Sequence, residues 1–147
     1  MADTPHSHSL RVGRYTQAGQ IYLLTAVTLH RQPVFANFSA ARALIHCLRR
    51  SSQLRHADTL AFVVMPDHLH WLMQLHERLD VSQCMGSIKS ISARQLGVPV
   101  WQKGFHDHAV RKEEDLPSLA RYVVANPVRA GLVKRVGEYP HWDAIWV

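Results

Sequence analysis

Residues 20–30 read QIYLLTAVTLH behind Gly19, and their branched and aromatic content predicts a strand covered on at least one face. The period then lengthens. Ala40, Ala41, Leu44, Ile45 and Leu48 recur every three or four positions behind Asn37, a residue able to cap a helix, which leaves Arg42, Arg49 and Arg50 on the more exposed side. Residues 60–65 form a continuous apolar run that reads as a buried strand. Pro66 and Asp67 break it, and residues 68–75 resume an extended alternation, so two strands joined by a tight turn are expected. From Asp80 or Ser82 onward, Val81, Cys84, Met85, Ile88 and Ile91 keep helical spacing until Gly97, Val98 and Pro99 stop it. Residues 104–110 predict another strand. A final helix is expected from about Leu116 to Ala125, with Asp115 as its cap. Asn126-Pro127 should close it, because proline disfavours helical geometry in its predecessor.

The resulting order, β-α-β-β-α-β-α, predicts an α+β fold: a ferredoxin-like or RRM-like antiparallel sheet with helices packed on one face and the other face free for a substrate. The 147 residues suffice for one domain, 1–147, with its own core. Residues 1–13 are polar, lack apolar periodicity and are expected to be flexible. The longest apolar run is far shorter than the roughly 20 residues a membrane helix needs, so no membrane partner is expected. The N-terminus lacks the basic-then-apolar order of a secretory signal, and Cys47 and Cys84 sit inside apolar helical patterns. Those two features point to a reducing, cytoplasmic setting. The 17 Lys and Arg against 11 Asp and Glu add a positive field that draws polyanions, nucleic acid first among them.

Charge names a partner class but no chemistry. In an extended segment alternate side chains share a face, so His68 and His70 project together while Leu69 and Trp71 point the other way. Two imidazoles on one strand can chelate a divalent ion from a rigid platform. The same spacing occurs at His6 and His8 and at His106 and His108, so the pattern alone is weak; its setting after a buried strand and a Pro-Asp turn distinguishes the pair. On the last helix Tyr122 and Asn126 stand four residues apart, roughly 40° around the axis. A phenol oxygen and an amide oxygen on one helical edge could serve as nucleophile and metal ligand. Equally, Tyr122 could pack its ring on the sheet and Asn126 could end the helix before Pro127.

Four separated blocks then carry a resemblance. Residues 13–28 (GRYTQAGQIYLLTAVT), 64–72 (VMPDHLHWL), 101–116 (WQKGFHDHAVRKEEDL) and 122–133 (YVVANPVRAGLV) together resemble the REP-associated tyrosine transposases. These are HUH-class relatives of the single-tyrosine transposases of small bacterial insertion sequences. The resemblance implies that His68-Leu69-His70 is the His-hydrophobic-His motif, that Tyr122 is the catalytic tyrosine and that Asn126 is the third protein ligand of Mg²⁺ or Mn²⁺. It further implies nicking and rejoining of single-stranded DNA through a 5′-phosphotyrosine, at a repetitive extragenic palindrome folded as hairpin DNA beside a short guide strand. Asp67 departs from the pattern, since related sequences often have Asn there. Monomers and homodimers both occur among such relatives, and nothing in the sequence decides between them.

Phosphates would be gathered by cations, for which Arg11, Arg14, Lys89, Lys103, Arg111, Lys112 and Arg129 are candidates, and Tyr15, Trp71 and Trp101 could stack bases. Two other readings stay open. One is a non-catalytic DNA- or RNA-binding module of the same fold. The other is a metallohydrolase that activates water and leaves Tyr122 structural.

Overall fold

A computed structural model describes residues 19–145. Five strands alternate with helices: β1 (Ile21–Val27), α1 (Phe38–Gln53), β2 (Ala57–Met65), β3 (His68–Leu75), α2 (Val81–Leu96), β4 (His106–Ala109), α3 (Leu116–Val124), a short α4 (Asn126–Arg129) and β5 (Trp142–Ala144). The strands form one antiparallel sheet in the order β4-β1-β3-β2-β5. The first four follow the expected ferredoxin-like arrangement, and β5 adds an edge beyond it. Residues 1–13 lie outside the described residues.

The helix boundaries follow local chemistry. Asn37 Oδ1 accepts from the Ala40 backbone N–H at 2.9 Å and starts α1. Asp80 and Gln83 form a reciprocal capping box at α2. Gly97 ends α2 in the left-handed conformation (φ 74°), which a side chain with a Cβ would resist. Asp115 precedes α3, but its side chain caps no backbone N–H; it accepts instead from Ser118 Oγ. α3 ends at Val124, next to the expected Ala125, but Asn126, the residue before Pro127, is itself helical. Ala125 keeps φ −80° and the chain runs on into α4, because proline is tolerated in a first turn whose N–H groups need no partner.

Period-two alternation sorts the sheet's side chains between two faces. Tyr22, Leu24, Phe62, Val64, Leu69, Trp71 and Met73 point to one face and pack against Leu44, Ile45 and Leu48 of α1 and Cys84, Met85 and Ile88 of α2. Each fully buried leucine among them contributes about 2 kcal/mol. Cys47 and Cys84 are free thiols in this layer, and burial, with Asp80 adding, pushes Cys84 up to about 12.

The other face carries Leu23, Thr25, Ala61, Val63, Met65, His68, His70 and Leu72. The expectation that all helices share a single face fails for the last one. Ala120, Val123 and Val124 of α3 pack on Ala61, Leu72, Val63 and Met65, on the histidine side. Ala61, Val63 and Met65 offer an apolar strip on that side of β2, and an amphipathic helix buries its stripe wherever such a strip is uncovered. Among the described residues, no helix is long and apolar enough to cross a membrane.

Candidate active site

The β2–β3 turn fixes the start of the site. Thr28 and Phe35 donate backbone N–H groups to the carbonyls of Asp67 and Pro66, both at 2.9 Å, so the tight turn is clamped from outside. His68 and His70 then leave β3 on the same face, their rings 4.8 Å apart and nearly perpendicular. Each ring is held by its Nδ1. His68 Nδ1 lies 2.8 Å from Asp67 Oδ1, and His70 Nδ1 lies 2.9 Å from Thr25 Oγ1 on the neighbouring strand β1. With both Nδ1 atoms engaged, the Nε2 atoms are the positions left for a ligand, an arrangement in which outer partners orient imidazoles and set their tautomer.

The Asp67 partner extends one step further, to Arg31 Nε at 3.1 Å. His30 and Arg31 both have φ 54°, an uncommon left-handed conformation for residues with a Cβ, and this sharp turn brings Arg31 back onto the hairpin. Burial alone would raise the Asp67 carboxyl, but the hydrogen bond to His68 and the charges of His68 and Arg31 hold it below the usual carboxylate range. Thr25, Arg31 and Asp67 were not singled out as site residues by sequence. Thr25 sits 45 positions from His70, and only the departure at Asp67 from the family pattern gave any signal.

Burial, then the neighbouring His68 and Arg129, push His70 down to about 4. The unfolded chain therefore takes up a proton at His70 between about pH 6.5 and 4 that the folded chain refuses, so stability is complete above the ordinary histidine range and falls as pH drops through it. The metal-free protein should lose at most about 3 kcal/mol over this window through His70. Urea midpoints at both ends of the window, compared between wild type and His70→Gln, isolate this share; an identical pH slope in the variant refutes it.

The candidate helix residues lie on α3 and α4, and α3 packs on the sheet face that carries the histidines. Tyr122 is 60% exposed and its hydroxyl makes no hydrogen bond among the described residues. Arg129, the last residue of α4, lies with its guanidinium carbon 3.9 Å from the centre of the Tyr122 ring, and its Nη1 donates to the Tyr122 carbonyl at 2.7 Å. Arg129 also contributes to the depression of His70. One guanidinium therefore contacts the helix tyrosine directly and adds positive charge on the side of His70. Asn126 is half-buried between Tyr122 and Arg129 in sequence, and its side chain makes no hydrogen bond among the described residues.

The other predicted contacts divide. Lys103 is exposed and lines a 380 Å³ cleft with Thr25, Val27 and His106; Thr25 and Val27 are paired with the site histidines, so this cleft adjoins them. His106, opposite Thr25 on β4, was missed as a residue of this face. Arg111 and Lys112 are exposed beside Ile21, at the far end of β1. Lys89 is tied elsewhere: its ammonium, which burial pushes down, donates to the backbone carbonyls of Gln102 and Gly104. Arg11, Arg14 and Tyr15 lie outside the described residues. Base stacking on Trp71 is excluded, since it is fully buried with Nε1 donating to Thr59 Oγ1. Trp101 packs on Phe35, its Nε1 donating to Ser92 Oγ, and is likewise part of the core layer.

The antiparallel sheet thus carries paired histidines on the same face that receives a helix with an exposed tyrosine, an architecture that comparison places in a family of transposases. The family model described as "Transposase IS200 like" matches residues 16–126, and the chain belongs to that family. Within it, the chain is similar to the REP-associated tyrosine transposases. It is 32% identical over 99 residues to the REP-associated tyrosine transposase of Escherichia coli, covering 66% of this chain and 60% of that protein. A Haemophilus influenzae protein assigned to the same group is 31% identical over 100 residues, covering 57% of each. The chain thus spans about three-fifths of the length of these curated relatives. A REP-associated tyrosine transposase solved bound to a REP hairpin superimposes with a TM-score of 0.76 and 28% identity, over 88% of this chain and 79% of that one. A Deinococcus radiodurans protein assigned as a transposase shares the fold, with a TM-score of 0.55 and 21% identity over 76% of this chain and 93% of that one.

Proposed function

We propose that the protein is a metal-dependent endonuclease and strand transferase that cuts single-stranded DNA beside a REP-type hairpin, with Tyr122 as nucleophile and His68, His70 and Asn126 holding Mg²⁺ or Mn²⁺. The observation that carries this reading is that α3, the helix bearing Tyr122, packs on Val63 and Met65, the cross-strand neighbours of His70 and His68 on the same sheet face. The relative bound to a REP hairpin supports the choice of substrate.

The donor set fits an ion that keeps open positions. Two imidazole nitrogens stand ready, and among the described residues no three His, Cys, Asp or Glu side chains converge. Asn126 and substrate oxygens would complete the shell. Imidazole donors favour Mn²⁺ over the more strictly oxygen-seeking Mg²⁺. When bound, the ion would polarise a non-bridging oxygen of the scissile phosphate.

The chain's own groups do the rest. Arg129 seats the phenol ring and supplies fixed positive charge beside the phosphate. Tyr122 Oη forms a bond to phosphorus, the bond from phosphorus to the 3′ oxygen breaks, the phenol proton passes to solvent and the departing oxygen takes up a proton as a 3′-hydroxyl. Attack by a 3′-hydroxyl on the phosphotyrosine reverses the step and joins strands. The exposure of Tyr122 suits a strand arriving from solvent.

Incubating the protein with a labelled, tailed DNA hairpin in Mn²⁺, Mg²⁺ or chelator, then running a denaturing gel, tests the reading. A denaturation-resistant adduct is expected with metal and none with chelator. Binding without cleavage in either metal would instead establish the non-catalytic module. Cleavage without an adduct would establish water as the nucleophile.

Asp67→Asn should weaken Mn²⁺ binding about tenfold, because a neutral amide raises the basicity of His68 less than a carboxylate does. Titration followed by water-proton relaxation measures this directly. An unchanged affinity would show that Asp67 only braces the turn through Arg31.

A further inference from the structure

The protein's positive charge is unevenly placed. Between Asp3 and Asp58 no carboxylate occurs, yet seven arginines fall in that stretch; the other ten of the 17 cations lie beyond it, where they face ten of the 11 carboxylates. The acid-free stretch supplies α1. Arg42, His46 and Arg49 stand at i, i+4 and i+7, a row of about 10 Å along one side of the helix, with Arg50 beside it. His46, Arg49 and Arg50 are exposed. None of the three arginines forms an ion pair among the described residues. Arg42 only skirts the Phe38 ring at 5.9 Å and the Pro140 carbonyl at 3.5 Å.

An exposed helix is ordinarily stabilised and kept neutral by carboxylates three or four residues from its cations. α1 has none. Asp143 shares a cleft with Arg49 but forms no ion pair with it among the described residues, so most of the repulsion is left for an outside anion to relieve. The position of the row also limits what that anion can be. α1 packs on β2 from one side of the sheet and α3, with Tyr122, packs on β2 from the other; β5 is the strand flanking β2 at that edge. The arginine row and the tyrosine helix thus stand back to back around a single sheet edge.

We propose that the outward face of α1 docks the phosphate backbone of duplex DNA, namely the stem of the same hairpin whose single strand enters the histidine face. Duplex DNA carries about one charge per 1.7 Å of axis, so a row of about 10 Å meets several phosphates, and guanidinium forks bind them in pairs of hydrogen bonds without reading sequence. This proposal rests on the hairpin reading above.

The test measures binding in chelator, with a tailed DNA hairpin and with the tail strand alone. Replacing Arg42, Arg49 and Arg50 together by Gln should weaken hairpin binding about tenfold or more near 50 mM salt and lower the slope of log affinity against log salt by about 2–3, roughly 0.9 per lost phosphate contact. The tail strand should change by less than about twofold. Replacing the same three by Lys should restore the slope and guards against misfolding, as does an unchanged melting temperature. Hairpin affinity and slope unaltered in the Gln variant, or an equal loss on the tail alone, would overturn the stem assignment while leaving the proposed activity intact. Failure of the wild-type protein to bind either DNA would overturn both.

Discussion

Tyr122→Phe is expected to abolish the covalent adduct and strand cleavage, a loss on the order of 10³-fold or more, while hairpin affinity stays within about twofold. The separation follows from where the ring sits. Phenylalanine keeps the aromatic face that lies 3.9 Å from the Arg129 guanidinium, and the lost hydroxyl had no hydrogen-bond partner among the described residues. With 60% of the residue exposed, stability should hardly change. Binding and folding therefore act as internal controls. An adduct that still forms in the Phe variant would remove Tyr122 from the role of nucleophile.

His70→Ala should have the second largest effect, lowering Mn²⁺ affinity by about 100-fold or more because one of two nitrogen donors disappears. Loss of fold does not explain such a result at neutral pH. At that pH the change removes no charge from the fold, and Thr25 Oγ1, the partner of His70 at 2.9 Å, can turn to water. Below the ordinary histidine range the sign of the stability change runs the other way: the variant lacks the group that refuses a proton when folded, so its acid sensitivity should fall. Mn²⁺ titration at neutral pH and urea melts in mild acid together separate ligation from stability. Equal Mn²⁺ affinity in wild type and His70→Ala would place the ion elsewhere.

The sequence was most legible where the deciding interaction is local. Asn37 and Asp80 bond to backbone groups three residues on, so a capping reading needs no knowledge of the fold. His68 and His70 share a face because a strand's pleat has a period of two, whatever lies around it. Their neighbours Leu69 and Trp71 point into the opposite layer for the same reason. Where prediction strayed locally, at Asp115 and Pro127, a side chain had two nearby partners to choose from or a proline had a first helical turn available.

Periodicity along one helix reveals that α3 has an apolar stripe but not which side of a sheet receives it; that was decided by the uncovered apolar strip of Ala61, Val63 and Met65 on β2. Likewise the site's supporting partners come from other strands and turns. Thr25 reaches His70 from β1, Arg31 reaches Asp67 through a left-handed turn, and Lys89, a cation by sequence alone, is drawn to two loop carbonyls. By itself the chain's order of residues determined the elements, the pairing of the imidazoles and the family likeness, because those depend on spacing along the backbone. Only tertiary packing decided that α3, the helix carrying Tyr122, covers the sheet face that bears His70, because that depends on free energy released between segments far apart in the chain.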